Sequence, residues 1–448
     1  MDKTLQRIYS IPPQELARLN DTVMLGSGQH GLCLKEGKGV RVWDLNGKEY
    51  IDCTSQGWAL FLGHANEEIC QAAYEQMGML THLNQNSDTL PRYALAKELT
   101  ALAPAHLNRV LFTVGGSAAI EAAMKLAAKN VPAARKFITL KDGYHGTSLT
   151  TGAGSWISTK TAGIFTGFDS FRAIVNDLFL RIPNPFVYRF DGDEDACVAQ
   201  CLQGARDVLS SGTVGQVAGV IVEPVQASGG QIPLPVSYLK GLRALCDEFG
   251  CLLIFDELQT YCRVGDWFAA RKYDVEPDII CLGKSLGAGF PIAAILIHDR
   301  LEGFGPLGEE IHTFSNNAVA QVTALKQIDI IRRDNLLDNA NQVGAYLASG
   351  FRALQTGCKK LGDVRQVGLH IGIEFVEDPE TKAPDLVFAQ TVKAIALELG
   401  LILGEAGYRM NVLKCKPPLI LTKADADQVL ERFALALDLA GKKAGAGA

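Results

Sequence analysis

The 448-residue sequence lacks several features that would indicate particular classes of protein. Its 11 cysteines include no CxxC pair, so neither a common metal motif nor a disulfide framework is evident, and no metal site is expected. No stretch approaches about 18 uninterrupted apolar residues, and the N-terminus contains no apolar segment of signal-peptide length. With 43 basic against 49 acidic residues, the net charge of −6 gives no general attraction for nucleic acid. We therefore expect a soluble, cytoplasmic protein with neither a membrane nor a nucleic-acid partner.

The composition is that of an ordinary folded protein. Apolar residues make up 48% of the chain and charged residues 21%, with 45 glycines and 17 prolines. These proportions exclude a mainly disordered, collagen-like or coiled-coil chain. Because single hydrophobic cores rarely extend beyond about 250–300 residues, the length predicts two or three structural lobes.

Five short apolar runs in the middle of the chain alternate with segments that have the apolar period of a helix. β-Branched runs bounded by glycine or charge are typical of strands buried on both faces. The predicted strands are Arg109–Thr113, Lys136–Leu140, Val217–Val222, Cys251–Phe255 and Asp278–Leu282, and the clearest helices between them are Ser117–Lys129 and Ser237–Phe249. The alternation predicts an α/β fold with a large, mostly parallel sheet.

The two ends of the chain follow a different pattern. Before the alternating region, Val40–Asp52 is typical of a hairpin that turns at Asn46-Gly47. After about residue 320 we expect a helix through Val322–Arg333, a strand at Val367–Val376 and a helix at Leu386–Leu399. The predicted organisation is an N-terminal segment (1–60) belonging to a small domain, a large α/β domain (61–325) and a C-terminal small α+β domain (326–448).

Reactive side chains follow the predicted strands directly. Ligands of open parallel sheets bind outside the carboxyl ends of the strands, so residues at these positions should converge on one site. The residues concerned are Glu223, Asp256, Glu257, Gln259, Lys284, the turn Gly115-Gly116-Ser117 and the pair Tyr144-His145. Together they provide a lysine, several carboxylates, a glycine turn that opens a helix and an aromatic pair.

This combination suits pyridoxal 5'-phosphate. A lysine can form a Schiff base with an aldehyde cofactor, and a carboxylate can keep the pyridine nitrogen protonated so that the ring accepts electrons. A glycine turn that opens a helix presents backbone N–H groups and a positive dipole end to a phosphate. An aromatic side chain can stack on the ring.

The motifs that carry these residues resemble those of the class-III aminotransferases, which are fold-type-I pyridoxal-phosphate enzymes. The resemblance extends from about Gly39 to Leu430, and the motifs occur in family order. Among them are FTVGGSAAIEAAMKLA, DGYHGTS, VEPVQASGG, LLIFDELQT, CLGKSLGAGFPIAA, HTFSNNAVA and NVLKCKPPL. The resemblance implies a large, mostly parallel sheet domain with a smaller α+β domain.

The resemblance also implies roles for individual residues. Lys284 would form the Schiff base and move the proton, and Asp256 would pair with the pyridinium nitrogen. Gly116 and Ser117 would hold the phosphate. Gln259 would bond the ring hydroxyl, with Glu223 near both of them. Tyr144 would stack on the ring, with His145 beside it. Thr313 would reach the phosphate of a neighbouring subunit, which implies a homodimer or a dimer of dimers.

Two departures from the family pattern concern the substrate. Many members carry an arginine three residues before the Pro-Pro pair, and here Lys414 stands at that place. Lysine is a point charge, whereas arginine provides a planar fork for a carboxylate, so the exchange is not conservative. A glutamate that masks this arginine in some members is replaced by Ser228. We expect Gln56, Trp58 and Lys414 to contact the substrate.

The predicted activity is transfer of an amino group between an amine or amino acid and a keto compound, both small molecules. The alternative is another outcome with the same cofactor, namely a phospho-lyase, a racemase or epimerase, a decarboxylase or a carbon–carbon bond-forming enzyme. A nicotinamide-dependent dehydrogenase is disfavoured because the chain has no GxGxxG after the glycine turn. A catalytically inactive relative is disfavoured because Asp256, Gln259, Lys284 and Tyr144 are all present.

Overall fold

The structure is a computed structural model that describes residues 2–12, 15, 18–19, 22–23, 32–158, 177–306 and 308–445. The strands in these ranges are, in chain order, β1 (Leu34–Lys38), β2 (Arg41–Asp44), β3 (Glu49–Asp52), β4 (Leu107–Thr113), β5 (Lys136–Leu140), β6 (Phe179–Ile182), β7 (Val217–Val222), β8 (Val225–Gln226), β9 (Ile232–Pro233), β10 (Leu252–Asp256), β11 (Ile279–Leu282), β12 (Ala293–His298), β13 (Leu361–Val367), β14 (His370–Phe375), β15 (Leu401–Ile402), β16 (Gly404–Ala406) and β17 (Val412–Cys415).

The α-helices cover both ends of the chain and the faces of the largest sheet. In chain order they are α1 (Lys3–Tyr9), α2 (Glu67–Met79), α3 (Leu90–Leu102), α4 (Gly116–Asn130), α5 (Leu149–Gly154), α6 (Glu194–Ser211), α7 (Val236–Phe249), α8 (Ala269–Tyr273), α9 (Ala318–Arg333), α10 (Leu336–Ala353), α11 (Leu386–Glu398) and α12 (Lys423–Gly445). No helix within the described ranges is long and apolar enough to cross a membrane.

Seven strands form the largest sheet, in the order β4-β12-β11-β10-β7-β5-β6. The pairs along β11-β10-β7-β5-β6 are parallel, as the alternating pattern predicts. All five strands expected from the sequence are present, with ends shifted by at most two residues. The two additional strands are β6 and β12, and β12 is antiparallel to both of its neighbours. The sheet is thus mixed, with one reversed strand near its edge.

Side chains on the two faces of this sheet enter two different cores. In β10, Leu253 and Phe255 belong to the larger core cluster, whereas Leu252 and Ile254 belong to the cluster that also contains the inner face of α4. All five residues of β10 and all six of β7 are buried. Because successive strand residues point to opposite faces, a strand covered on both sides is apolar throughout, which explains the continuous apolar runs.

The N-terminal hairpin has the predicted form and pairs with a C-terminal strand. β2 and β3 are antiparallel around a turn in which Gly47 has a φ of +79°, and the Asp44 carboxylate accepts hydrogen bonds from the turn amides. β3 pairs in parallel with β15, which brings the N-terminal segment onto the C-terminal part of the chain.

The C-terminal part contains a second four-stranded sheet, in the order β13-β14-β17-β16. The prediction of a single strand over Val367–Val376 was wrong in extent, because the chain turns within it. Gly368 adopts a φ of +54° between β13 and β14, which pair in an antiparallel hairpin. β17 lies beside β14 and places Lys414 over the ring of Trp58, so this small sheet contributes to the site described next.

Candidate active site

A cavity of about 190 Å³ lies at the carboxyl ends of the parallel strands. The strands β5, β7, β10 and β11 and the first turn of α4 all end or begin there. Its lining residues are Gly116, Ser117, Tyr144, His145, Gly146, Glu223, Asp256, Leu258, Gln259 and Lys284. Eight of the residues predicted to contact the cofactor therefore share one cavity.

Lys284 enters this cavity from the turn that follows β11. The turn is a short 3-10 helix, Lys284–Gly287, and Lys284 itself has a φ of +49°. A left-handed conformation costs a residue with a side chain about 1 kcal/mol or more, and such conformations cluster at functional sites. Burial lowers the pKa of the Lys284 amine, while the carboxylates of Asp256 and Glu223 partly oppose this effect. A lowered pKa makes the neutral, nucleophilic amine more abundant.

Asp256 is the last residue of β10 and is held in place by two neighbours. Its Oδ2 lies 2.8 Å from Nδ1 of His145, and its Oδ1 accepts a hydrogen bond of 3.2 Å from the Leu258 backbone N–H. Both side chains are almost completely buried. His145 Nε2 is also buried and has no hydrogen-bond partner among the described residues. His145 and the Leu258 backbone thus orient the carboxylate. No lysine or arginine nitrogen lies within 4 Å of it among the described residues.

Glu223 follows β7 and is bound by backbone groups. Its Oε1 accepts a hydrogen bond of 2.8 Å from the Tyr144 N–H, and its Oε2 accepts one of 3.1 Å from the Ala227 N–H. Burial raises the pKa of Glu223 to about 7, and the nearby Asp256 carboxylate adds to this effect. The same hydrogen bond to Glu223 fixes the backbone of Tyr144 at the edge of the cavity. We call Tyr144, His145, Glu223 and Asp256 the carboxylate wall.

The first turn of α4 provides free backbone donors at the opposite end of the cavity. Gly115, which precedes the helix, is extended and makes no side-chain capping hydrogen bond. A Cβ on Gly116 would lie 2.1 Å from Cδ2 of Leu258, so a larger residue there would have to displace that side chain. Gly146 has a φ of +126°, and a Cβ on it would lie 2.3 Å from Oγ of Ser117. These glycines keep Ser117 and the helix N-terminus open to an anion.

Gln259 contacts a buried lysine that the sequence prediction missed. Lys416 Nζ donates a hydrogen bond of 2.5 Å to Oε1 of Gln259, and the Lys416 side chain is completely buried. Lys416 follows β17, two residues after Lys414, and residues two apart in an extended strand lie on the same face. This spacing in the motif NVLKCKPPL was the signal that could have revealed it.

The two lysines lie against the indole of Trp58. Lys414 Nζ is 4.4 Å and Lys416 Nζ 5.0 Å from the ring centroid, distances at which a cation is attracted to the ring face. Gly404 faces the indole, since a Cβ there would lie 2.3 Å from it. Burial lowers the pKa of Lys414 to about 7, and the charge of Lys284 acts in the same direction. We call Trp58, Lys414 and Lys416 the lysine wall.

An unusual turn presents Trp58 to this wall. Four successive residues, Ser55 to Trp58, have positive φ values between 43° and 74°, and only Gly57 is a glycine. The Asp52 carboxylate accepts hydrogen bonds from the N–H groups of Thr54 and Gln56, which offsets part of the strain. Ser285 Oγ donates a hydrogen bond of 2.5 Å to the Trp58 carbonyl oxygen. The residue next to Lys284 is thereby joined to the turn that carries Trp58.

Four predicted site residues do not line the cavity itself. Trp58 and Lys414 contact each other beside it, Gln56 is exposed on the left-handed turn, and Thr313 is exposed on the segment before α9. The cavity of this chain therefore contains the predicted cofactor contacts except Thr313, for which a neighbouring subunit was expected.

Comparison with known proteins decides the family. The family described as aminotransferase class-III matches residues 24–437. The chain belongs to the class-III aminotransferases. Members of this family use pyridoxal 5'-phosphate to transfer an amino group from a small-molecule donor to a keto acceptor, and the predicted activity, cofactor and fold type are confirmed.

This class-III aminotransferase has relatives with different activities. It is 33% identical over 413 residues to the leucine/methionine racemase of Thermococcus litoralis, and the match covers 89% of each chain. It is 32% identical over 402 residues to the acetylornithine aminotransferase of Methanothermobacter thermautotrophicus, which covers 89% of this chain and 92% of the relative. Its fold matches a transaminase from the marine bacterium Virgibacillus at a TM-score of 0.86 and 27% identity, covering 96% and 99% of the two chains.

The residues of the aminotransferase cavity fit its cofactor. The glycines at positions 116 and 146 let Leu258 and Ser117 pack closely beside a helix N-terminus suited to a phosphate. The buried Asp256 carboxylate is available to a pyridinium nitrogen, and the aromatic Tyr144 lies at the same cavity. Each part of the cofactor therefore has a chemically matched group.

Proposed function

We propose that Lys284 is the catalytic lysine of this aminotransferase and that Asp256 pairs with the ring nitrogen of its cofactor. The observation that carries this proposal is that the two residues follow adjacent strands, β11 and β10, and line the same cavity. When bound, pyridoxal phosphate supplies a ring that withdraws electrons from the amino-bearing carbon of the substrate. Lys284 Nζ would take the proton from that carbon and hand it on to a different carbon, and its lowered pKa favours this role.

The other contacts with the cofactor follow from the walls of the cavity. We assign phosphate binding to the backbone N–H groups at Gly116 and Ser117, and stacking on the ring to Tyr144. His145 holds Asp256 in its orientation through the hydrogen bond to Oδ2. Glu223 and Gln259, which line the same cavity, would hold the side of the ring that carries the hydroxyl group.

A pair of lysine variants tests the central role. We expect Lys284→Ala to lower the rate of amino transfer by about 10²–10⁴-fold, the usual contribution of a positioned general base. Lys141→Ala is the matched control, because Lys141 is exposed at the end of β5 and does not line the cavity. Rates are measured by chromatography of the keto product from a panel of amino donors. Equal rates in Lys284→Ala and in the unmodified enzyme would overturn the assignment.

For the substrate, we propose an amino donor or keto acceptor with a negatively charged group that binds at the lysine wall. Lys414 and Lys416 have no carboxylate partner within 4 Å among the described residues, and Trp58 offers an apolar face beside them. Gln56, which is exposed on the same turn, provides an amide at the entrance. A donor panel with and without a carboxylate or phosphate group tests this, and a preference for uncharged amines would contradict it.

Racemisation of an amino acid is the second candidate function, favoured by the 33% identity to a racemase. The same first steps serve both reactions, and they differ in whether the proton returns to the carbon from which it came. Beyond one equivalent per active site, a transferase converts the donor to its keto product only with a stoichiometric amount of acceptor. A racemase produces the enantiomer of the amino acid, with deuterium from solvent, and needs no acceptor. Chiral chromatography in D₂O separates the two outcomes.

We also propose that the enzyme is a homodimer, or a dimer of dimers, in which a second copy of the chain covers an exposed apolar surface. Large apolar side chains at least 59% exposed include Tyr74, Met79, Leu90, Ile311 and Phe314. Thr313 lies between the last two, so an interface there would bring it toward the phosphate site of the other copy. Light scattering measures the mass, and a monomer with full activity would contradict this assembly.

The remaining proposals concern location and domain division. All 11 cysteines are unpaired, which supports a reducing, cytoplasmic environment. We retain the division into residues 1–60, 61–325 and 326–448, supported by the pairing of β3 with β15 across the two ends of the chain. Limited proteolysis near residues 60 and 325 tests these boundaries.

A further inference from the structure

Lys416 is a buried amine to which the mechanism above gives no task. Its side chain is completely buried, and its Nζ lies 2.5 Å from Gln259 Oε1 and 5.0 Å from the centre of the Trp58 ring. The Lys416 amine donates to Oε1 of Gln259, so the amide oxygen is the atom that faces the lysine. The two ends of a glutamine amide are otherwise hard to distinguish, so this contact determines the orientation of Gln259.

The backbone of Gln259 is fixed independently of its side chain. The carbonyl oxygen of Gln259 lies 2.6 Å from Nε2 of His370, whose Nδ1 lies 2.8 Å from Oε1 of Gln231. Gln259 also lines the cavity beside Glu223 and Lys284. With its backbone held and its Oε1 bound to Lys416, the Nε2 group is the part of the amide left to face the cavity.

The surroundings of Lys416 leave the Gln259 amide oxygen as the acceptor for its Nζ. Burial lowers the pKa of its amine well below the ordinary value, and the charges of Arg263, Lys414 and Lys284 lower it further, whereas Glu223 acts in the opposite direction. Arg263 is engaged elsewhere, since it donates to the carbonyl oxygen of Pro417 and to Oγ of Ser55. The Gln259 oxygen is the hydrogen-bond acceptor that the described residues offer to Lys416 Nζ.

We propose that Lys416 is a positioning residue that keeps the Gln259 amide turned so that it donates, and never accepts, at the ring hydroxyl of the cofactor. This inference rests on the proposed place of Gln259 beside that hydroxyl. A donor at this oxygen stabilises its negatively charged form. Lys416 thus acts through Gln259 on the proton affinity of the cofactor, without itself touching the substrate.

The test is a pH titration of the visible absorption band in the cofactor-loaded enzyme, without substrate. In Lys416→Met the amide is free to turn its oxygen toward the ring oxygen, because the amine that held it is gone. An acceptor at this place disfavours the negatively charged form of the ring oxygen, so we expect the midpoint of the titration to rise by about one pH unit, which is a tenfold higher proton affinity. Lys416→Gln, which keeps a hydrogen-bond donor, should shift the midpoint by less.

Two controls separate positioning from a general charge effect. Lys414→Met removes the neighbouring lysine of the same wall, which makes no hydrogen bond to Gln259 among the described residues, and should shift the midpoint much less than Lys416→Met. In a Gln259→Leu background, Lys416→Met should cause little further shift, because the side chain through which it acts is gone.

An unchanged midpoint in Lys416→Met, or an equal shift in the Gln259→Leu background, would overturn the inference. So would failure of both Lys416 variants to load cofactor while Lys414→Met loads normally, since that indicates a folding role. These results leave the proposed function intact when the unmodified enzyme transfers amino groups and Lys284→Ala does not.

Discussion

The acids of the carboxylate wall and the amines of the lysine wall have different kinds of partner. In the carboxylate wall, the oxygens of Asp256 and Glu223 are held by a histidine and by backbone N–H groups. In the lysine wall, neither Lys414 nor Lys416 has a carboxylate partner among the described residues, and both lie over an indole ring. The acids of the first wall are bound by groups of the protein, whereas the amines of the second have no acidic partner among the described residues. This difference supports the proposal that the first wall holds the cofactor and the second an incoming anion.

The largest expected effect comes from the carboxylate wall. Asp256→Asn keeps the shape of the side chain and removes the charge that would hold a proton on the ring nitrogen. We expect kcat/KM to fall by about 10²–10³-fold, as when one electrostatic partner of a reacting group is removed. Steady-state kinetics with equal cofactor loading measures this. The matched change Asp266→Asn, at a position outside the cavity lining, should leave the rate unchanged.

Retention of most of the activity in Asp256→Asn would contradict the assignment of the carboxylate wall to the cofactor. The Asp256 carboxylate would then have no electronic role. Thermal unfolding of the variant should stay near that of the unmodified enzyme, since Oδ1 and its hydrogen bond from Leu258 are kept.

A smaller, pH-dependent effect is expected from the lysine wall. The pKa of Lys414 is about 7, so its amine is charged below this pH and neutral above it. For an anionic donor, KM should therefore rise as the pH increases through about 7, by up to about tenfold per unit. In Lys414→Met, KM should be high at low pH and lose this dependence. The measurement is KM against pH for paired donors that differ only in the anionic group.

An uncharged donor serves as the control for this profile. Its KM should not follow the titration of Lys414, and the same rise for both donors would show that the lysine wall does not recognise the anion.

The smallest effect should come from packing behind the lysine wall. Gly404→Ala places a methyl group within 2.3 Å of the Trp58 indole and must displace it. Overpacking of this kind costs about 1–3 kcal/mol of unfolding free energy. We expect a modest loss of thermal stability and a few-fold higher KM, with an unchanged absorption spectrum of the loaded cofactor. Gly441→Ala, where no atom lies within 4 Å, is the control.

An altered cofactor spectrum in Gly404→Ala would mean that the two walls are not independent. Differential scanning fluorimetry and the visible spectrum of the same sample are sufficient to detect this.

The sequence was sufficient to predict the sheet and the carboxylate wall because these depend on local patterns. Strands such as Val217–Val222 are apolar throughout, and the reactive residues follow them immediately, so their meeting point is set by parallel pairing. The reversed strand β12 was missed because an apolar run contains no information about its direction.

The lysine wall was only partly predictable because it depends on contacts between distant segments. Trp58, Gly404 and Lys416 come from three parts of the chain that meet only in the folded protein. A lysine in sequence is usually a surface residue, so Lys416 gave no reason to expect complete burial. The left-handed turn at Ser55–Trp58 was also unforeseeable, since three of its four residues are not glycine.

The hydrogen bond from Ser285 to the Trp58 carbonyl has a consequence for attempts to redesign the enzyme. Replacing the indole keeps the carbonyl oxygen but removes the side chain that packs the left-handed turn, so the support of the segment that begins with Lys284 changes as well. A variant selected to accept bulkier donors should then lose turnover number along with its selectivity. Restoring the turnover number would then require compensating changes around residues 285–287, which do not contact the substrate.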